Sequence, residues 1–126
     1  MPIKDAHIWV ARFKSKKALD EYMDETFDED DDAPISRFAA DQGVGFYDHD
    51  LVYAEFLKNA TPRALIECWG FPDKATAAVV TAVEALGVDG LNSSFIADKG
   101  EFSKPKSASG TGYQLWYVGQ FKGCSN

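Results

Sequence analysis

The chain has 126 residues with 13 Lys and Arg against 20 Asp and Glu, a formal charge of −7. That length fits one domain, and 45% hydrophobic and 13% aromatic residues supply an ordinary core, which excludes a disordered polymer. The acidic balance excludes nucleic-acid binding through a basic face and points instead to a cationic partner.

The apolar runs fall short of a transmembrane helix. Met1 to His7 lacks the apolar stretch of a signal peptide, so a cytoplasmic location is expected, with no membrane partner. Cys68 and Cys124 match no metal spacing and suggest no disulfide framework.

Residues 7–13 (HIWVARF) are rich in β-branched and aromatic side chains and predict a strand. Ile8 and Val10 face one side; Trp9, Ala11 and Phe13 face the other. Ser15 offers an N-cap for a helix over residues 16–26, with Leu19, Tyr22, Met23 and Thr26 at helical spacing. Residues 28–32 (DEDDD) form an unbroken acidic run that no core accepts, so a solvated loop is expected. Pro34 suits a first helical turn, predicting a short helix over 35–42 stopped by Gly43. Residues 51–57 (LVYAEFL) have mixed periodicity and are read as a strand.

Thr61-Pro62 opens a further short helix ended by Gly70. Phe71-Pro72-Asp73 opens a longer one through Leu86, with Ala75, Ala78, Val79, Ala82, Val83 and Leu86 as its buried stripe. Residues 94–97 predict a strand. Residues 99–112 (KGEFSKPKSASGTG) are polar and rich in Gly and Ser, predicting a mobile hairpin loop. Residues 113–121 (YQLWYVGQF) carry the strongest β signal and echo the first strand, which suggests that the two are neighbours. The sum is an α+β fold: about four mainly antiparallel strands with three to four helices packed on one face.

Three arrangements compete as chemistry. Asp48, His49, Asp50 and Glu55 hold enough ligand atoms for a metal or an acid/base pair, but the spacing is that of a capping loop. Cys68 as a nucleophile beside His7 or His49 is disfavoured by its neighbour Glu67, which raises a thiol pKa, and a core cysteine is the expectation. Gly43-Val44-Gly45 leads into acids that repel a phosphate. The acidic run lacks the glycine and spaced oxygens of a calcium loop. No catalytic residue, metal or cofactor is assigned.

Trp9-Val10-Ala11-Arg12-Phe13-Lys14-Ser15, followed by Leu19-Asp20-Glu21-Tyr22, resembles the opening strand and helix of the immunity protein 22 family. The acidic run, Ser36-x-Phe38, the block from Phe38 to Phe56 and the closing Val118-Gly119-Gln120-Phe121 extend that resemblance. Ala11 departs from an expected glycine. The resemblance implies a non-enzymatic antitoxin that binds a cognate toxin domain, often a nuclease and commonly basic. Candidate contacts are Asp28, Glu29, Asp30, Asp31, Asp32, Tyr47, Asp48, Asp50, Tyr53 and Glu55. A small enzyme using Asp48, His49 and Glu55, and a homodimer closed through a strand edge, are the alternatives.

Overall fold

A computed structural model describes residues 3–26 and 33–125. The acidic run expected as a solvated loop lies outside the described residues.

Among the described residues five antiparallel strands form one sheet in the order β2-β3-β1-β5-β4. They are β1 (Ala6–Phe13), β2 (Val52–Phe56), β3 (Ser93–Asp98), β4 (Ala108–Gly110) and β5 (Tyr113–Phe121). The echoing first and last strands are indeed neighbours, with Val10 opposite Trp116 and Arg12 opposite Gln114. Between Ile8 and Trp9 the β1–β5 register slips, so Val118 is the extra residue of a bulge. Gly119 beside it has φ 147°, a backbone state that side chains with a Cβ rarely adopt.

β1 is central, and every residue in it except Arg12 is buried. A strand covered on both faces needs cover from both sides, and the helices divide accordingly. The expectation of helices on one face is therefore corrected. On one side α3 (Pro62–Glu67) and α4 (Asp73–Ala85) pack Leu65, Ile66, Val79 and Val83 against Ile8, Val10 and Ile96. On the other, α1 (Lys16–Met23) and α2 (Arg37–Asp41) bring Leu19, Tyr22 and Phe38 to Trp9, Phe13 and Phe95. The first layer is aliphatic and the second aromatic. Trp9 has no exposed surface, and Phe38 and Phe102 meet its ring edge-to-face at 5.1 and 5.6 Å. Burying such a ring contributes roughly 1.5–3 kcal/mol, with about 0.5–1.5 kcal/mol more from well-oriented aromatic pairs.

Helix starts follow their caps. Ser15, Ser36 and Thr61 each accept a backbone N–H three residues on, at 3.1 Å. Ser36, not Pro34, sets the start of α2, because its hydroxyl satisfies the Ala39 N–H that a proline leaves free. α1 ends at Met23 rather than Thr26, and the Thr26 N–H donates to the Ile35 carbonyl at 2.7 Å.

Residues 99–112 turn back on β5 as the expected hairpin, but they are more than a bare loop. They hold a 3-10 turn (Lys99–Glu101) and the fifth strand, β4. Phe102 is buried in the aromatic layer. Buried Gln42 clamps the Lys106 backbone, accepting its N–H at 2.7 Å and donating to its carbonyl at 2.9 Å. Trp9 Nε1 donates to the same carbonyl at 3.2 Å.

Candidate partner-binding surface

The described backbone of residues 24–26 and 33–51 folds into one corner of the molecule. Thr26 donates to the Ile35 carbonyl, and Ile35 donates to the Gly45 carbonyl at 3.0 Å. These two bonds fix the flanks of the acidic run beside Gly45 and Phe46. Phe46 is 65% exposed, the one large hydrophobic side chain so exposed among the described residues. Its neighbour Tyr47 points the other way.

Acidic groups gather around this corner. The Asp48 N–H donates to Glu101 Oε1 at 2.7 Å, which ties the segment to the turn after β3. Asp48 Oδ1 accepts from the Asp50 N–H at 2.9 Å and so caps a 3-10 turn, His49–Leu51. The His49 ring lies between Glu25 at 3.5 Å and Asp50 at 3.4 Å. Glu25, Asp48, Asp50 and Glu101 thus share one surface, with a single imidazole between two of them.

The sequence candidates separate on this geometry. Asp48 and Asp50 are exposed members of the corner. Asp28, Glu29, Asp30, Asp31 and Asp32 lie outside the described residues. Tyr47 is corrected from surface anchor to core residue. It is 3% exposed, between Phe38 and Phe102, with its hydroxyl 3.2 Å from Ser36 Oγ. Burial raises its phenol pKa. Tyr53 is half-buried against Trp69, and its hydroxyl donates to the Asp50 carbonyl. Glu55 is exposed on β2 but shares the α3-side face with Tyr53, apart from the corner.

That dispersal also separates Glu55 from Asp48 and His49. Among the described residues no group of three or more His, Cys, Asp or Glu is placed to hold a metal. Cys68, expected in the core, is exposed at the end of α3. Its thiol donates to the Leu65 carbonyl, and partial burial of the sulfur raises its pKa, which disfavours a thiolate. His7 is buried, with Nδ1 2.8 Å from the Tyr117 hydroxyl and Nε2 near the Lys99 and Phe102 carbonyls. No described helix is long and apolar enough to cross a membrane.

A sequence profile described as Immunity protein 22 matches residues 6–122. The chain belongs to the Immunity protein 22 family. The match runs from the first residue of β1 to just beyond the last of β5, so it spans the whole sheet. No curated protein and no solved structure matches significantly. Most aromatic residues that carry the family resemblance are core residues of this immunity-family fold: Trp9, Phe13, Tyr22, Phe38 and Tyr47 are all buried. They hold the fold. Phe46, Glu25 and Glu101 escaped sequence reasoning. The one available signal was the pair Phe46-Tyr47, of which an extended backbone buries only one.

Proposed function

We propose that this immunity-family chain neutralises a cognate toxin domain by docking its acidic corner on a basic surface of that domain. Family membership supports the protective role. The observation that carries the choice of surface is the convergence of exposed Phe46 with Glu25, Asp48, Asp50 and Glu101 beside the flanks of the 28–32 run. Carboxylates steer a cationic partner to the encounter, and an aromatic side chain supplies desolvated contact once it arrives. A nuclease domain fits this chemistry, since its substrate phosphates demand a basic groove that an acidic surface covers. Inhibition then follows by occupation of the nucleic-acid path, with no reaction on the immunity chain.

Co-expression with the toxin domain encoded beside it tests the role. Cells survive with the wild-type chain, and affinity capture returns the toxin domain as a stoichiometric partner. Cell death despite ample folded immunity chain, with no complex recovered, contradicts the proposal.

A further inference from the structure

The opposite end of β2 carries the reverse charge. There, two adjoining cavities of about 590 and 600 Å³ lie along the end of the sheet and share Lys14, Gly90 and Asn92. Each is within the size range of ligand pockets. Arg12, Lys14, Lys16 and Lys58 line them, and among the described residues no Asp or Glu does, in a chain where acids outnumber bases 20 to 13. Phe56 and Leu91 give the first cavity apolar lining.

The cations differ in how far they are already engaged. Lys16 pairs with Asp20 at 3.0 Å. The Arg12 guanidinium lies 5.1 Å from the Trp116 ring centroid and donates to the Asp89 carbonyl and Gln114. Among the described residues no carboxylate lies within 4.0 Å of the Lys14, Lys58 or Arg12 cation. Gly90, at φ 75°, keeps the wall open, since a Cβ there would meet Arg12 Cδ at 3.3 Å.

The geometry points to this trough as a docking site for a short acidic peptide segment that alternates carboxylate and apolar side chains. Two cavities side by side suit an extended chain better than a single anion. Lysines on the rim with Phe56 and Leu91 beneath match carboxylates flanking an apolar side chain. A longer polyanion is disfavoured, because the part of it that extends past these four cations meets a chain whose net charge is −7. This site is independent of the toxin reading, and its failure leaves the acidic corner untouched.

A fluorescein-labelled peptide of alternating glutamate and leucine is the probe, with fluorescence anisotropy against the full chain as the readout. The expected result is saturable binding that weakens about tenfold in the double variant Lys14→Glu/Lys58→Glu. Lys74→Glu/Lys122→Glu carries the same charge change on exposed residues outside the trough and leaves binding intact. A lysine–leucine peptide does not bind, and oligothymidylate binds more weakly. No saturable signal, equal loss in both double variants, or tighter binding of oligothymidylate overturns the proposal. Circular dichroism of each variant confirms that it is folded, and a second pair, Lys14→Gln/Lys58→Gln, gives a smaller loss in the same direction.

Discussion

The Asn92 side chain takes both backbone polar groups of Phe13: its Oδ1 accepts the Phe13 N–H at 3.0 Å, and its Nδ2 donates to the Phe13 carbonyl at 2.7 Å. The β1–β3 ladder runs from Ala6 opposite Asp98 to Ala11 opposite Ser93, and Asn92 extends it by an imitation of backbone pairing. Its own N–H donates to the Ala11 carbonyl, and its carbonyl accepts from Leu57. One residue, immediately before β3, thereby ties β1 on one side and the end of β2 on the other. Asn92→Ala leaves two part-buried backbone groups unpaired, at a cost of about 1–3 kcal/mol in urea-unfolding free energy. Asn92→Asp keeps the acceptor but sets a carboxylate oxygen against the Phe13 carbonyl, so it also destabilises the fold.

Alkaline pH tests the aromatic layer. Tyr22 and Tyr113 both donate to Asp41 Oδ2, at 2.8 and 2.6 Å, and Arg37 stands 3.6 Å from the other carboxylate oxygen. Both phenol pKa values are raised, by burial first and then by the Asp41 carboxylate. Burial likewise raises Tyr117. Above a pH of about 10 the unfolded chain releases phenolic protons that the folded chain retains, so unfolding stability falls as pH rises. Below that value the contribution is fully present. Tyr22→Phe flattens the alkaline slope while it costs about 1 kcal/mol at neutral pH through the lost bond to Asp41. Phenolate absorbance and chemical denaturation across the alkaline range measure both effects.

Gln42 tests the strap formed by the segment before β4. Both ends of its amide bond the Lys106 backbone, and the side chain is 3% exposed. Gln42→Ala removes both partners and costs about 1–3 kcal/mol. Amide hydrogen exchange places the loss, with faster exchange at Lys106 and through β4 than in β1.

How much of this was legible in the sequence follows from where each signal resides. β1, β5 and the capped starts of α1 and α3 depend on local pattern, and HIWVARF, YQLWYVGQF, Ser15 and Thr61-Pro62 state them directly. The two-sided sheet was latent in β1, where Ile8 and Val10 alternate with Trp9, Ala11 and Phe13 and every one is apolar. β4 had no such signal. Its segment is polar, and it is ordered by Gln42 and Trp9, which lie more than sixty residues away in the chain. The surface split for the same reason. Asp48 and Asp50 were visible as acids, but Phe46, Glu25 and Glu101 join them only through the Thr26–Ile35–Gly45 bonds and the Glu101 contact.

Phe46 separates binding from folding. Its side chain is 65% exposed, so Phe46→Ala changes unfolding free energy by no more than about 0.5 kcal/mol. If the corner docks on the toxin domain as proposed, the same substitution costs about 2 kcal/mol or more of toxin affinity. Tyr47→Ala reverses the pattern, with several kcal/mol (about 3–5) lost from the fold through its buried ring. Calorimetric titration beside chemical denaturation distinguishes the two variants.

The central claim is that the acidic corner recognises the toxin domain. Asp48→Asn/Asp50→Asn/Glu101→Gln removes three charges there, while the amides at positions 101 and 48 keep the oxygens that accept the backbone N–H groups of residues 48 and 50. Titration of this variant and the wild type against the purified toxin domain, at low and high salt, reads the claim directly. The account predicts an affinity at least about tenfold lower at low salt and a flatter salt dependence. Equal affinity and equal salt dependence for the two proteins would contradict it.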